Sequence, residues 1–542
     1  MPFPDFTPTL PVFLHTMAER FGPRTLVVSD GERLTYAEAE SRSRELAKGL
    51  LAQGIGKGSH VGLLMPNRVD WVVTWFALSR IGALSVLLNT FYQTKELEWT
   101  VRHADLSHLL TYARFMSHDY LARLEAALAG LAGRTAERPL YLPVAPYLRQ
   151  VHVWGECDRR WAHGGEAALV ESGRRAGIDD AFLAQVESCV MPADSMLIVY
   201  SSGSTADPKG AIHTQGTLVR HSFNLADSFK VTGDDVLYSP MPFFWIGGII
   251  TALFMVMHHG GTLVTHGTFE PGATLELLER ERVTQVMGWP HYGKTMSQHP
   301  TFAKRDLSNL RRSNMPDLQS PERQPPEIRS NSLGMTETCG PHVNFDSYVA
   351  LPEKRRGTFG IPLEGVSHRV VDPSTGEVLP VGKEGEICVR GYSTMQGLYK
   401  IERERTFDAD GFYHTGDGGW FDEDGWLFFR GRLGEMVKTG GANVTPSEVE
   451  AVLMTYPEVL EAYVTGIPDA DRGQLVVAAV VPRGGHALDA EGVRVRLKAD
   501  LSAYKVPRHI WVCAKEELPF TDSGKIRKPA LAERMAQLFR EA

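Results

Sequence analysis

Between residues 25 and 112 short apolar runs alternate with amphipathic stretches, a pattern that predicts strands and helices taken in turn. Leu26–Val28 and Leu34–Tyr36 read as strands. Thr35 followed by Glu38 is a capping-box pattern, and Ala39, Leu46, Leu50 and Leu51 give the helix behind it an apolar face that Gly54 suitably stops. His60–Met65 is a short strand, Trp71–Leu78 a helix and Leu84–Leu88 a strand again. Strands alternating with helices imply a largely parallel sheet. Met196–Tyr200 is a further buried strand, expected to deliver the residues after it to a sheet edge.

The pattern weakens over 114–190, where the Gly/Arg-rich Gly164–Gly177 reads as partly surface insertion. Prolines between Asp306 and Arg329 predict an irregular segment lying against a site. From about residue 436 a new set of strands and helices begins, closing in a polar helix near Ala530–Arg540, so a second, smaller domain is expected there.

A chain of 542 residues exceeds one core and should divide into two to four units. A net charge of -8 without any Lys/Arg-rich run argues against a nucleic-acid surface and leaves small molecules as the expected partners. Cys157, Cys189, Cys339, Cys388 and Cys513 are scattered and odd in number, with no spacing for zinc or a disulfide framework, which fits a reducing cytoplasm. The start of the chain shows no secretory signal. Neither of the most apolar stretches is expected to span a membrane: Trp71–Asn89 is broken by Arg80, and Ile246–Met257 is short and contains glycine.

Four motifs carry chemistry. After the strand Met196–Tyr200 come Ser201, Ser202, Ser204 and Thr205 as hydroxyl donors, Gly203 for close backbone approach and Lys209 as a cation, a loop suited to phosphate. A Walker loop is excluded, because Lys209 precedes Gly210 and no hydroxyl follows. Thr336 and Glu337 set a hydroxyl beside a carboxylate, as a phosphate and its Mg²⁺ need. Asp417 suits a ribose diol, and Arg432 a phosphate or the same sugar. Lys525 is presented by a glycine turn. Each piece alone has a plainer reading, as a Ser/Gly turn, a helix cap, a hairpin and a solvated lysine respectively.

In their order and spacing the four pieces resemble the adenylate-forming superfamily of acyl-CoA synthetases, peptide-synthetase adenylation domains and firefly luciferase, over about residues 12–535. The resemblance implies an α/β fold: a large N-terminal domain of mixed and parallel sheets flanked by helices over 1–433, and a small mobile α+β domain over 434–542 that rotates about Gly434. It implies ATP, Mg²⁺ and coenzyme A as cofactors. Ser201, Ser202, Gly203, Ser204, Thr205 and Lys209 would grip the triphosphate, Thr336 would contact phosphate and Glu337 would bind Mg²⁺. Asn331, Ser332, Leu333 and Phe429 would line the nucleotide site, with Asp417 and Arg432 on the ribose. Lys525 would contact the carboxylate and the bridging oxygen. Lys438, Gly440 and Gly441 would serve coenzyme A, and Trp245, Gly247, Gly248 and Gly334 the acyl pocket.

The chain departs from the family's pattern at four places. The hinge, usually Asp or Lys, is Gly434; the aromatic that stacks on adenine is Leu333; Met315–Leu318 stands near where a Gly-Gly-Ala-Pro loop is usual. Trp245 replaces a histidine that often gates the acyl pocket, and no Asp awaits a substrate ammonium there, which argues for a bulky, apolar, non-amino carboxylate. The expected activity is an ATP-dependent acyl-CoA synthetase releasing AMP and pyrophosphate. The alternatives are transfer of the activated acid to a carrier-protein thiol, an amine or another acceptor, and a catalytically silent nucleotide-binding scaffold. A homodimer is compatible with the sequence, although its polar surface helices mark no clear dimer face.

Overall fold

The computed structural model describes residues 3–201, 208–433, 436–484, 488–520 and 526–539. They divide into two compact units, one of residues 1–90, 100–199 and 210–431, the other of 91–99, 200–209 and 432–542.

The first unit is built around an eight-stranded sheet in the order Gly397–Leu398, Lys209–Thr214, Ser195–Ser201, Leu84–Leu87, His60–Leu64, His108–Tyr112, Gln150–Trp154, Ala162–Gly164. From Ser195–Ser201 to Ala162–Gly164 every pairing is parallel. A six-stranded sheet runs Arg312–Ser313, Gln285–Val286, Val236–Tyr238, Thr262–Thr265, Thr25–Ser29, Glu32–Thr35, parallel except at its last pair. Smaller antiparallel sheets hold Leu333–Met335 with Gly340–Asn344, and Gly385–Gly391 with Tyr413–Phe421.

Local sequence explains the helices. Thr35 and Glu38 form the reciprocal capping box at the head of Tyr36–Ala52, and Gly54 follows its end at φ 77°. In Val69–Arg80 every residue except Asp70 is buried, and Trp71, Trp75 and Phe76 fill the core with Phe243 and Phe254. Arg80 belongs to this helix because its guanidinium is matched: it donates to Glu40 at 3.0 Å, Glu187 at 2.5 Å and Ser43 Oγ at 2.9 Å. Removing one of these partners would leave a buried charge uncompensated.

The segment 114–190, expected to be partly surface insertion, contributes two strands and a packed helix to the unit. Gln150–Trp154 and Ala162–Gly164 complete the main sheet. A Cβ at Gly49 would stand 2.2 Å from the Leu169 carbonyl oxygen, and one at Gly173 2.8 Å from Gly49 N. Gly173, one of the glycines of Gly164–Gly177, and Gly49 opposite it let the helix Glu166–Arg175 lie against Tyr36–Ala52. Over 306–329 the chain was expected to be irregular; Arg312–Ser313 instead joins the six-stranded sheet beside Gln285–Val286, and the rest is irregular, with short 3₁₀ turns at Pro316–Leu318 and Pro321–Arg323.

In the second unit Gly473–Pro482 is the hub of a five-stranded sheet, paired with Val459–Asp469, Val437–Thr439 and, in parallel, His509–Val512. Alternate residues of Gly473–Pro482 feed two cores, Val476, Ala478 and Val480 on one face and Val477, Ala479 and Val481 on the other. Among the described residues no helix is long and apolar enough to cross a membrane.

Candidate active site

Thr336 and Glu337 ride on a tight hairpin. Leu333–Met335 and Gly340–Asn344 pair antiparallel, and a 3₁₀ turn, Thr336–Thr338, joins them through Cys339 at φ 57° and Gly340 at φ 99°. Thr338 Oγ1 donates to Gly340 O at 2.8 Å, tying the turn to itself. Gly334 is required by proximity: a Cβ there would be 2.5 Å from the carbonyl carbon of Gly340. Gly334→Ala is expected to destabilise the first unit by about 1–3 kcal/mol, as overpacking against backbone does, with loss of activity. An unchanged urea midpoint would contradict this account of the hairpin.

The phosphate-loop motif begins at Ser201, the last residue of Ser195–Ser201, and ends at Lys209, the first of Lys209–Thr214. Ser202, Gly203, Ser204 and Thr205 lie outside the described residues. Ser195–Ser201 is an interior strand of the main sheet, so the motif leaves from a strand end and not from an edge strand. His213, on the strand that leaves the motif, is fully buried, and its Nε2–H donates to the Thr336 carbonyl at 2.7 Å. Met395 N donates to the Glu337 carbonyl at 2.8 Å, while the neighbouring Gly397–Leu398 pairs with Ala211 and Ile212. The carbonyls of both Thr336 and Glu337 are thus held, one by His213 and the other by Met395. His213 closes the phosphate-loop stretch in the sequence, where no role was read for it.

Asp417 is buried opposite Ile387, at a register shift between Gly385–Gly391 and Tyr413–Phe421. Gly416, at φ 70°, donates its N–H to Glu386 Oε1 at 2.9 Å, and Asp417 N donates to Thr415 Oγ1 at 3.0 Å. Ile387 shares an apolar cluster with Leu333, Val343 and Leu427, against which Phe429 packs, edge-on to Phe359 at 5.2 Å. Leu333, Phe429 and Asp417 are therefore brought together. Asn331 N donates to Thr358 O and Ser332 Oγ to Val343 O, holding the lead into the hairpin. The side chain of Arg432 lies outside the described residues.

In the six-stranded sheet the chain runs from Val236–Tyr238 to Thr262–Thr265 on one side, and from Gln285–Val286 to Arg312–Ser313 on the other. The order therefore reverses between Val236–Tyr238 and Gln285–Val286. Crevices for ligands in open parallel sheets lie at the carboxyl ends of strands at such a reversal. Trp245 follows the first of these strands and Trp289 the second, and the two indoles meet edge to face at 5.9 Å. Trp289 also contacts Tyr292 edge to face at 5.5 Å. Sequence reasoning missed Trp289, although a Trp-Pro pair directly after an apolar run marks a strand end.

Behind Trp245 the helix is irregular, with Ile249–Phe254 in π geometry, a form that collects at functional sites. Gly248 has no room for a side chain, since a Cβ would be 2.3 Å from Pro242 O, and one at Gly247 would be 3.2 Å from Met241 Sδ. A Cβ on Gly340 would stand 2.9 Å from Ile250 Cγ2, so this helix abuts the Thr-Glu hairpin.

In the second unit Val437–Thr439 and Ala442–Val444 form a hairpin whose corner residues, Gly440 and Gly441, have φ 55° and 83°, as a two-residue turn of this twist requires. Lys438 is exposed, with its N–H on Gln474 Oε1 at 2.8 Å. Gly434 and Lys525 lie outside the described residues. The residues flanking Lys525 are anchored: Phe520 and Ile526 form an antiparallel bridge, Arg527 N donates to Pro519 O at 2.7 Å, and Lys528 Nζ donates to Val464 O at 2.7 Å.

This architecture is that of an adenylate-forming enzyme, a large unit of parallel sheets and helices joined to a small C-terminal α+β unit. Residues 14–399 match the model of the AMP-binding enzymes and residues 448–525 that of the AMP-binding enzyme C-terminal domain, and the chain belongs to this family. It is 29% identical over 98% of both chains to a putative acyl-CoA synthetase, YngI, of Bacillus subtilis. It is 31% identical to a feruloyl-CoA synthase of Amycolatopsis, covering 94% of this chain and 96% of that one. Among solved structures it resembles the amide bond synthetase McbA of Marinactinospora thermotolerans, with TM-score 0.78, 26% identity and 96% and 99% of the two chains covered. The chain is an enzyme, an AMP-forming acid–thiol ligase of the acyl-CoA synthetase class.

Proposed function

We propose that the protein activates a bulky, apolar, non-amino carboxylate with ATP and transfers the acyl group to coenzyme A. The observation that carries the substrate class is the Trp245–Trp289 pair at the sheet's reversal point; the helix that follows Trp245 abuts the hairpin of Thr336 and Glu337 through Ile250 and Gly340. The aromatic faces of Trp245, Trp289 and Tyr292 favour an apolar or aryl acyl group.

In the first half-reaction a carboxylate oxygen attacks the α-phosphorus and the bond to the bridging oxygen breaks, giving acyl-adenylate and pyrophosphate. Two anions must be brought together, so fixed donors and cations are needed where charge gathers. In this reading Ser201, Ser202, Gly203, Ser204, Thr205 and Lys209 hold the triphosphate, Thr336 donates to phosphate, and Asp417 and Arg432 take the ribose. The oxygen donors of Glu337 and Thr336 suit a hard divalent cation, so Glu337 would hold Mg²⁺, whose charge neutralises phosphate oxygens. His213 keeps the Thr336 carbonyl in place, which fixes the hydroxyl and carboxylate beside it. In the second half-reaction the coenzyme A thiol attacks the acyl carbonyl and AMP leaves. Gly440 and Gly441 offer a side-chain-free corner for the pantetheine arm, and Gly434 is the proposed hinge between the two states, with the mobile domain starting there.

The test is mass spectrometry of products after incubation with ATP, Mg²⁺, coenzyme A and a panel of aliphatic, aromatic and polycyclic acids. Acyl-CoA with AMP is expected from bulky apolar acids; turnover of amino acids or short acids alone would overturn the substrate class. Trp245→Ala is expected to lower kcat/KM for the best aryl acid about tenfold to a hundredfold while sparing smaller acids, the range that hydrophobic pocket contacts deliver. An equal fall for all acids would remove Trp245 from the pocket.

The similarity to an amide bond synthetase favours a second reading, in which an amine accepts the acyl group. Amide without thioester, when amines and coenzyme A are both supplied, would select it.

A further inference from the structure

Glu386 and Cys388 stand two residues apart on Gly385–Gly391 and so share a face of the sheet, and His414 is the register partner of Cys388 on Tyr413–Phe421. One ligand atom from each of the three lies within 4.8 Å of the others. Cys388 Sγ is 3.5 Å from His414 Nδ1, and Glu386 Oε2 is 2.8 Å from the same nitrogen. A tetrahedral zinc ion, with Zn–S of about 2.3 Å and Zn–N of about 2.0–2.1 Å, holds sulfur and nitrogen about 3.5 Å apart. The sulfur–nitrogen spacing already matches; the carboxylate oxygen has to retreat by about 0.5 Å to reach the roughly 3.3 Å that two N/O ligands keep.

The surroundings complete the site. His414 Nε2 faces Asp408 Oδ2 at 3.4 Å, the carboxylate–histidine arrangement that fixes the ring of a metal-binding histidine. Asp408 is itself held, its Oδ1 accepting from Asp410 N at 3.0 Å and Phe412 N at 2.9 Å. Arg369, which lies beside the Cys388 thiol, is paired with Asp408 and with Asp410, so its charge is matched. Cys388 is buried and the His414 side chain is 39% exposed, which leaves an approach from solvent at the histidine.

We propose that Glu386, Cys388 and His414 bind one Zn²⁺ through thiolate sulfur, Nδ1 and a carboxylate oxygen. The thiol proton passes to solvent, and the imidazole carries its proton on Nε2 toward Asp408, leaving the Nδ1 lone pair for the metal. The mixed soft and hard donor set suits zinc better than magnesium or calcium. Because Glu386 Oε1 also holds Gly416 N–H, the metal would stiffen the bulge that seats Asp417.

The spectroscopic probe is Co²⁺, titrated into the full-length chain without nucleotide and then displaced by Zn²⁺. One equivalent is expected to give a thiolate-to-cobalt charge-transfer band and the strong visible bands of four-coordinate cobalt, with Zn²⁺ raising the melting temperature. Cys388→Ser should abolish the charge-transfer band, and Asp408→Asn should weaken binding about tenfold to a hundredfold, as loss of an outer-shell partner does. No thiolate band in the wild type would overturn the site, as would a band of equal strength in Cys388→Ser, which would trace to the exposed Cys157 or Cys189. Should Cys388→Ser fail to fold, His414→Ala at the exposed end carries the same test, and unchanged cobalt affinity in it overturns the proposal.

Discussion

Replacement of Lys525 by alanine is expected to slow formation of the acyl-adenylate by on the order of 10²-fold or more, while thioester formation from supplied acyl-adenylate survives. The reason is electrostatic. As the carboxylate approaches the α-phosphorus, negative charge accumulates on the phosphate and bridging oxygens, and in a site shielded from water an oriented ammonium is worth several kcal/mol to that transition state alone. Nothing in thiol attack on the acyl carbonyl needs the same cation. The residues flanking Lys525 are suited to the task, because the Phe520–Ile526 bridge closes the segment at its base and the buried Lys528 is hydrogen-bonded to Val464 O in the unit's core sheet. ATP–pyrophosphate exchange reads the first step, and single turnover of supplied adenylate with coenzyme A reads the second. An equal loss in both would end the division of labour proposed for Lys525 and Gly440.

Sequence patterning was most informative where a local rule decides structure. The capping box of Thr35 and Glu38, the strand at His60 and the strand ahead of Ser201 follow from side-chain periodicity and hydrogen-bonding capacity, and all three are present. It was least informative where spacing in the chain says nothing about spacing in space. Gly49 and Gly173 permit a helix contact across more than a hundred residues, which the local composition of Gly164–Gly177, read as partly surface insertion, does not reveal. The site divides in the same way. Thr336, Glu337 and Asp417 are proposed from motif chemistry, whereas His213 is found only through its bond to a carbonyl in a distant hairpin and Trp289 only through the reversal of strand order. The absence of any zinc-like cysteine spacing has the same origin, since Glu386, Cys388 and His414 meet across two strands.

Acidification from pH 7 to 5 is expected to remove most of the stability of the large unit, well before carboxylates titrate. Burial holds His152, His221, His258 and His368 down at about 3, and His108 and His213 at about 4. Burial lowers His342 as well, with the neighbouring His368 adding to the effect. Burial outweighs the hydrogen bond that would favour the charged ring: His221 Nε2–H donates to Pro341 O at 2.9 Å, yet its pKa is still lowered. In the unfolded chain each titrates near 6.5. Because the folded value is the lower one, the unfolded state takes up protons first; stability is fully present above about pH 6.5 and is lost as pH falls toward the folded values. Each such histidine costs about 1.4 kcal/mol per pH unit within that window, so six together reach on the order of 10 kcal/mol at pH 5, as much as a typical domain possesses. Carboxylates stabilised in the fold act only below their unfolded values near 4, so the onset pH separates the two causes. Urea unfolding followed by the fluorescence of the buried Trp71 and Trp75 should give a midpoint that is constant from pH 8 to 7 and falls steeply below 6.5. A midpoint unchanged between pH 7.5 and 5.0 would mean that these histidines accept protons in the folded state at little cost, and that burial does not keep His213 neutral behind Thr336.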